Sequence, residues 1–238
     1  GLDTAGAYAV QEQYVSLRRA GGANVVGRKI GCTARALQQM FGIDTPDFGH
    51  LLDDMRVEGD ALIELDRLIE PMVEPEIAFL LGSDLEGPHA TPEDVLRATA
   101  AVMPAIEIID SRIVGWNIAF EDTVADNGSS ALFVLGKERE LEAGLDLGGE
   151  SVSLRRDGSE FDSDRATAVL GHPLNSVAWL VNALAEFGRG MHAGEVVLSG
   201  SITKAARVRG GEVYEAIFST LGRVGCRFKN GEGGSEGA

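Results

Sequence analysis

The chain has 238 residues and a formal net charge of −16, with 44% hydrophobic and 24% charged residues. These proportions are typical of a folded globular protein, and a chain of this length can bury a full core. The acidic excess argues against nucleic acid and anionic membrane surfaces as partners, because both repel a negative protein. No apolar run is long enough to span a bilayer. Cys32 and Cys226 stand in no metal-like spacing, so we expect free thiols in a cytoplasmic protein.

The first predicted elements are a helix and a strand that contains a lysine. A helix is predicted from about residue 7 to residue 19, and a strand at residues 24–33, NVVGRKIGCT. Lys29 lies inside this apolar strand. One interpretation is an edge strand from which the ammonium reaches water. The other is a lysine that faces a polar cavity, where it binds an anion or moves a proton.

A short helix and an acidic loop are predicted next. Thr33 caps the helix at residues 34–42, and residues 43–55, IDTPDFGHLLDDM, form the loop that contains Asp47. Such a loop is usually a solvated connection, but it can also act as a lid that carries an acid or a base. We therefore divide a single catalytic domain, residues 1–238, into three parts. These are a helical N-terminal part with an active-site loop (1–60), a β-rich core (61–229) and a disordered tail (230–238).

Two carboxylates inside an apolar run are the most informative feature. Residues 71–82, PMVEPEIAFLLG, have the length and composition of a buried strand. Side chains two residues apart share one face of a strand, so Glu74 and Glu76 project together, about 7 Å apart. Buried carboxylates repel each other unless they are neutralised, and the hard cations Mg²⁺ and Mn²⁺ prefer oxygen ligands. Paired structural carboxylates are the alternative.

A third carboxylate follows on the next predicted strand. Threonine, proline and two acidic residues at 91–94 are typical of a helix start, and they predict a helix from about residue 92 to residue 103. Glu107 lies on the strand after it, AIEIIDSRI, at residues 105–113. A strand–helix–strand crossover can place the two strands side by side. Glu74, Glu76 and Glu107 would then converge on one ion.

The rest of the chain predicts turns, one further helix and several strands. Asp110 and Arg112 are interpreted as a local ion pair. Residues 126–130, DNGSS, predict a tight turn rich in hydrogen-bonding groups. A hairpin at 151–158, an amphipathic helix at 173–188 and strands at 196–202, 212–219 and 223–229 follow. The small residues at 200–203 let a ligand approach the backbone closely.

Five segments together resemble the 2-hydroxypenta-2,4-dienoate hydratases (2-oxopent-4-enoate hydratases) of the fumarylacetoacetate hydrolase superfamily. They are KIGCTARALQQMFGIDTPDFGHLLDDM, VEPEIAFLL, PAIEIIDSRI, DTVADNGSSALFVLG and VLSGSIT. The similarity extends from about residue 8 to residue 228. It implies an α+β fold, with a mixed β-rich rolled sheet of the fumarylacetoacetate hydrolase C-terminal-domain type and peripheral helices. It also implies a homo-oligomer, with the downstream aldolase or the sister decarboxylase as further partners.

The same resemblance implies an enzyme, a hydro-lyase that uses Mg²⁺ or Mn²⁺. It would add water to 2-hydroxypenta-2,4-dienoate or a substituted analogue, a small anionic substrate, and give a 4-hydroxy-2-oxo acid. Family members act in the meta-cleavage degradation of aromatic or steroid compounds. The resemblance implies three groups of site residues: metal ligands Glu74, Glu76 and Glu107, catalytic groups Lys29 and Asp47, and substrate contacts Asn127, Ser129 and Ser201.

Three different functions stay open beside this one. The first is that of the sister enzyme, 4-oxalocrotonate decarboxylase, which loses CO₂ at the same kind of metal site. Trp116, Ile118, Asp122 and Thr123 resemble the hydratases, and so does NSVAWL in the late helix. GHP at 171–173 and SITKA at 201–205 resemble the decarboxylases, and Gly128 stands where hydratases more often carry alanine. The second is a non-catalytic structural partner, and the third is an aldolase-type hydrolase acting on a 1,3-diketone.

Overall fold

A computed structural model describes residues 1–34, 38–39, 42–141 and 145–229 of the chain. The helices in this part of the chain are α1 (Thr4–Ala20), α2 (Pro92–Ala98), α3 (Phe120–Ala125) and α4 (Pro173–Ala185). The first strands are β1 (Val25–Gly31), β2 (Asp47–Leu52), β3 (Arg56–Val57), β4 (Leu62–Ile63), β5 (Met72–Leu81), β6 (Thr99–Ile109) and β7 (Ser130–Leu135). The later strands are β8 (Arg139–Glu140), β9 (Ser151–Arg156), β10 (Ser159–Arg165), β11 (Val196–Leu198), β12 (Ala206–Arg207), β13 (Val213–Phe218) and β14 (Gly222–Phe228).

The larger of the two sheets formed by these residues has the order β2-β1-β11-β5-β6-β7-β3, with β12 paired to β5 and β8 to β6. Strands β5 and β6 lie side by side, as predicted, but they are antiparallel rather than joined by a crossover. Helix α2 ends at Ala98 and not near residue 103, because the chain turns extended at Thr99 and pairs with the end of β5. The apolar run that follows is therefore strand, not helix.

The second sheet in the described residues has the order β10-β9-β13-β14-β4. It contains the predicted hairpin of β9 and β10, which turns at Asp157 and Gly158 with positive φ angles. One apolar core joins the two sheets, with Ile106 from the first sheet and Leu154 and Tyr214 from the second. This arrangement confirms the prediction of an α+β, β-rich fold. In the described part of the chain, no helix is both long enough and apolar enough to cross a membrane.

The acidic segment that contains Asp47 is a strand and not the predicted loop. Residues 47–52 form β2, pair antiparallel with β1 and are all buried. This segment is extended because β1 supplies its backbone hydrogen bonds. The helix predicted at 34–42 lies partly outside the described residues, and the tail at 230–238 lies wholly outside them.

The predicted ion pair between Asp110 and Arg112 is also wrong. The Asp110 carboxylate accepts hydrogen bonds from the backbone nitrogens of Ile69, at 2.8 Å, and Glu70, at 2.7 Å. Arg112 pairs instead with Asp126, with 2.6 Å between Nε and Oδ1. Asp110 therefore binds the segment at residues 69–70, whereas Arg112 binds the end of helix α3 through Asp126.

Candidate active site

The larger sheet brings together the three glutamates that the sequence singled out. Glu74 on β5 lies directly opposite Glu107 on β6, and Glu76 lies two residues further along the same face of β5. One carboxylate oxygen from each residue lies within 4.8 Å of the others. Glu76 and Glu107 are fully buried, whereas Glu74 is partly exposed. Strand alternation thus produces one cluster of three carboxylates, which solvent reaches on the Glu74 side. That these glutamates are metal ligands stays a prediction.

The hydrogen bonds of this cluster leave several oxygens without a partner. Glu76 Oε2 accepts a hydrogen bond of 2.6 Å from the Gly200 backbone nitrogen. Glu76 Oε1 and both oxygens of Glu107 accept no hydrogen bond from the described residues. Buried carboxylate oxygens are costly when they are unpaired. Three converging carboxylates with free oxygens are the donor set that Mg²⁺ and Mn²⁺ prefer, so the residues present fit such an ion.

Burial and mutual repulsion also affect the ionisation of the cluster. Burial raises the pKa of Glu74 to about 7, although the Lys29 ammonium opposes the shift. Burial, followed by repulsion from Glu107, raises the pKa of Glu76 well above its ordinary value. Without a cation, these two carboxyl groups therefore hold their protons to a higher pH than free glutamate does.

Lys29 brings one positive charge to the carboxylate cluster. It lies on β1, which is flanked by β2 and β11 and is therefore not an edge strand. Its side chain is only 4% exposed, and Nζ lies 3.3 Å from Glu107 Oε2, an ion pair without hydrogen-bond geometry. Nζ donates a hydrogen bond of 3.1 Å to the Gly128 carbonyl. Burial by itself lowers the pKa of Lys29, but Glu107 and the neighbouring carboxylates outweigh burial and raise it, so the ammonium is the expected form.

Asp47 lies on β2 beside Lys29. Its Oδ2 is 3.9 Å from Cys32 Sγ, and its Oδ1 has no hydrogen-bond partner among the described residues. An ideal Cβ at Gly31 would lie 2.2 Å from Asp47 Oδ1 and 3.2 Å from Lys29 Nζ. The missing side chain at Gly31 therefore gives the carboxyl group and the ammonium a shared space. Burial raises the pKa of Asp47, and Lys29 opposes this shift.

The three predicted substrate contacts use their side chains inside the protein. Asn127 Oδ1 accepts a hydrogen bond of 2.7 Å from the His50 nitrogen, and Asn127 Nδ2 donates one of 2.9 Å to the His50 carbonyl. Ser129 Oγ donates to Asp126 Oδ2 at 3.0 Å. Ser201 Oγ donates to the Thr203 carbonyl at 2.8 Å. Contact with substrate through these three residues stays a prediction.

Two groups that sequence reasoning missed are backbone atoms of glycines. The Gly128 carbonyl holds Lys29, and the Gly200 nitrogen holds Glu76. A sequence shows no such role directly. The only available signal was the presence of glycine in a turn and after a strand, where the backbone can approach a side chain closely.

The comparisons with curated proteins give close relatives over nearly the whole chain. The chain is 42% identical over 224 residues to 2-hydroxyhexa-2,4-dienoate hydratase of Comamonas testosteroni, covering 93% of this chain and 85% of that protein. It is 42% identical over 226 residues to 2-keto-4-pentenoate hydratase of Paraburkholderia xenovorans, covering 95% and 84%. No family model matches the sequence.

Two solved structures show the same fold. The 4-oxalocrotonate decarboxylase from Pseudomonas putida G7, complexed with magnesium and adipate, has a TM-score of 0.92 and 36% identity, and the match covers 95% of this chain and 86% of that chain. Fumarylpyruvate hydrolase from Pseudomonas aeruginosa, in complex with Mn²⁺ and pyruvate, has a TM-score of 0.66 and 14% identity, covering 85% and 88%. The second likeness concerns the fold alone. Together they confirm the predicted type of rolled sheet.

Proposed function

Since the chain belongs to the 2-keto-4-pentenoate hydratase family of the fumarylacetoacetate hydrolase superfamily, we propose that it is a metal-dependent hydro-lyase. Its substrate is 2-hydroxypenta-2,4-dienoate or a substituted analogue, and its product is a 4-hydroxy-2-oxo acid. The reaction would belong to the meta-cleavage degradation of aromatic or steroid compounds. The observation that carries the proposal is the convergence of Glu74, Glu76 and Glu107 beside the buried Lys29.

Glu74, Glu76 and Glu107 are the proposed ligands of Mg²⁺ or Mn²⁺. The unpaired oxygens of Glu76 and Glu107 support this assignment, as does the magnesium in the related decarboxylase structure. When bound, the cation would supply positive charge that holds the substrate carboxylate and the C2 oxygen and draws electrons towards C2. The partly exposed Glu74 marks the side from which an ion and a small anion can enter.

Lys29 is the proposed anchor for the anionic substrate. An ammonium group has three donors, and in this site one points to Gly128 O and another faces Glu107. The third is available for a carboxylate oxygen of the dienoate. Because Lys29 is buried, its charge is weakly screened and holds the substrate firmly.

Asp47 is the proposed proton carrier. Protonation of the dienoate at C5, with loss of the C2 hydroxyl proton, gives a conjugated 2-oxo-3-enoate. The oxygen of water then adds at C4, one water proton is released, and a proton is delivered to C3. Asp47 Oδ1 has no hydrogen-bond partner among the described residues and shares a space with Lys29 Nζ. It can therefore accept a proton from water or deliver one to carbon, while Lys29 keeps the substrate in reach.

4-Oxalocrotonate decarboxylase activity is the second candidate. The similarity to the solved decarboxylase favours it. One decarboxylase-like motif has a structural explanation here, since His172 Nδ1 accepts a hydrogen bond of 3.1 Å from the Leu174 nitrogen and so caps helix α4. That motif therefore discriminates poorly, and the two named hydratase relatives favour hydration.

The organisation of the protein completes the proposal. The apolar core shared by both sheets supports one catalytic domain over residues 1–238. Exposed apolar side chains, including Val114 at 88% and Ile69 at 60%, support assembly into a homo-oligomer or docking of the downstream aldolase or the sister decarboxylase. Sedimentation velocity tests the first. The free thiols of Cys32 and Cys226 support a cytoplasmic location.

The proposed function is tested by following dienoate absorbance with purified protein and Mn²⁺. We expect turnover that stops when the metal is chelated and returns when Mn²⁺ is added. Calorimetry with Mn²⁺ alone distinguishes an enzyme from a non-catalytic structural partner. A protein that binds no Mg²⁺ or Mn²⁺ would support the structural partner and overturn the proposed enzyme.

A further inference from the structure

We propose that Gln11, on helix α1, is a positioning residue for Lys29. It touches neither Lys29 nor the carboxylate cluster by hydrogen bonding. It acts through strand β2 and the turn at Asn127, which together place the Gly128 carbonyl that holds the Lys29 ammonium. The kinetic part of this inference rests on the proposed function, whereas its structural part does not.

Gln11 connects three elements through one fully buried amide. Its Nε2 donates a hydrogen bond of 2.9 Å to the Phe48 carbonyl on β2 and one of 2.7 Å to the Val124 carbonyl on α3. Its Oε1 lies 3.1 Å from His50 Nδ1. The side chain is 0% exposed, so losing these bonds would leave buried carbonyls unsatisfied. Gln11 therefore fixes β2 and α3 relative to each other.

Strand β2 then fixes the turn at Asn127. β2 is the outermost strand of its sheet, so the backbone groups on its outer side need another partner. At His50 the Asn127 amide fills this need, accepting from the nitrogen and donating to the carbonyl. An ideal Cβ at Gly49 would lie 2.4 Å from the Asn127 carbonyl oxygen. The turn thus packs directly on the backbone of β2.

The backbone conformation of the turn is intrinsically unfavourable, and the contacts with β2 stabilise it. Asn127, Gly128 and Ser129 have φ angles of 61°, 62° and 52°. Left-handed backbone is unfavourable for residues with a side chain, and it persists where the surroundings hold it. Here the surroundings are β2, through His50, and Asp126, which accepts from Ser129. The carbonyl of the central residue, Gly128, accepts the Lys29 hydrogen bond.

Loosening Gln11 should therefore move Lys29 and spare the metal ligands. The glutamates lie on β5 and β6, which pair with each other over their whole length. Lys29 would keep Glu107 as a partner and lose a fixed Gly128 carbonyl. Displacing a group that positions the substrate by about 1 Å can reduce turnover by up to about 100-fold. We expect the loss in kcat/KM rather than in metal affinity.

The kinetic test compares Q11A with a matched variant, E150Q. Glu150 is also buried, and it accepts hydrogen bonds from Ser219 and Thr220 at the second sheet. We expect Q11A to lower kcat/KM about tenfold or more, with the calorimetric Mn²⁺ affinity changed less than about threefold. E150Q should keep the wild-type kcat/KM. Gln11 and Asn127 act through one turn, so their effects should not add. The double variant Q11A/N127A should lose no more activity than the single variant with the larger loss.

Amide hydrogen exchange gives a readout that does not depend on activity. In Q11A we expect exchange at His50 to be about tenfold faster or more, with β13 unchanged as the internal control. If Q11A does not fold, Q11E replaces it in the same exchange measurement. Q11E keeps an oxygen acceptor for His50 but loses the hydrogen bonds donated to the Phe48 and Val124 carbonyls. Unchanged exchange at His50, or equal acceleration in β13, would overturn the positioning role. Wild-type protein that binds Mn²⁺ without hydrating the dienoate would overturn the proposed function and leave the exchange result valid.

Discussion

Lys29 Nζ lies 3.3 Å from Glu107 Oε2, and both side chains are almost completely buried. Two further carboxylates, Glu74 and Glu76, converge on the same region with no second ammonium among the cluster's described neighbours. Buried charges are stable only when they are paired or bind a metal. One lysine cannot balance three ionised carboxylates, so the others must either hold protons, as their raised pKa values indicate, or be neutralised by a divalent cation.

Replacing Lys29 with methionine should destabilise the metal-free protein. The variant removes the only ammonium facing Glu107 in the described structure, and breaking a buried ion pair costs about 3–5 kcal/mol. Thermal unfolding measures the loss, and saturating Mg²⁺ should raise the midpoint temperature more in K29M than in wild type. K204M, at an exposed lysine, is the matched control. Equal midpoints for K29M and wild type without metal would contradict the role of Lys29 as counter-charge.

Replacing Glu76 with glutamine should abolish activity without unfolding the protein. Glutamine keeps the size of the side chain and an oxygen that accepts from the Gly200 nitrogen. It removes one negative ligand, so we expect Mn²⁺ affinity to fall by about 100-fold or more, and dienoate turnover to be lost. E58Q, at an exposed glutamate, should bind Mn²⁺ normally. Retained turnover by E76Q with bound metal would show that Glu76 is not a ligand.

Replacing Gly31 with alanine should separate Asp47 from Lys29. The new methyl group would lie 2.2 Å from Asp47 Oδ1, so the carboxyl group must move. We expect kcat to fall about tenfold or more, with Mn²⁺ affinity unchanged. G59A is the control, because the nearest atom to its new methyl group would lie 4.0 Å away. Steady-state kinetics with wild-type kcat for G31A would count against Asp47 as the proton carrier.

Acid should destabilise the protein through His50. Burial, followed by the charges of Arg28 and Arg189, lowers the pKa of His50 to about 3. Glu12 Oε1, 3.4 Å from Nε2, favours the charged ring, but Arg189 already pairs with Glu12, so we expect burial to dominate. Unfolded histidine has a pKa of about 6.5, so between about pH 6.5 and 3 only the unfolded state binds this proton. The free energy of unfolding therefore decreases as the pH is lowered through this range, by up to about 1.4 kcal/mol per pH unit.

A comparison of wild type with H50Q isolates this effect. Glu74 and Glu76 have raised pKa values, so they take up protons on folding and stabilise the protein as pH falls, in the opposite direction. This contribution is shared by both proteins and cancels. From urea unfolding, the stability of wild type relative to H50Q should be about 2 kcal/mol lower at pH 5 than at pH 7. H192Q, at an exposed histidine, is the control; a difference that does not change with pH would refute the assignment.

The carboxylate cluster could be predicted from the sequence because it follows from local periodicity. Glu74 and Glu76 share a face of one strand whatever the rest of the fold does, and the apolar neighbours of Glu107 marked a second buried strand. The neighbour relation of the two strands followed from their closeness in the chain. Only their direction was wrong, since residues after Ala98 pair back along β5 instead of crossing over.

Features that depend on distant partners could not be predicted in this way. Residues 47–52 contain aspartate, glycine and histidine, which favour a loop, yet pairing with β1 makes them a strand. Gln11 has no periodic or compositional signal, and its role appears only when Phe48 and Val124 are seen beside it. The turn at Asn127 was predicted, but the use of its amide by His50 was not.

One assay tests the central claim most directly. Purified protein with Mg²⁺ or Mn²⁺ is offered 2-hydroxypenta-2,4-dienoate and 4-oxalocrotonate separately, absorbance is followed, and the products are identified by NMR. We expect metal-dependent loss of the dienoate with formation of 4-hydroxy-2-oxopentanoate. Release of CO₂ from 4-oxalocrotonate with the dienoate untouched would contradict the hydratase and identify a decarboxylase at the same cluster of glutamates.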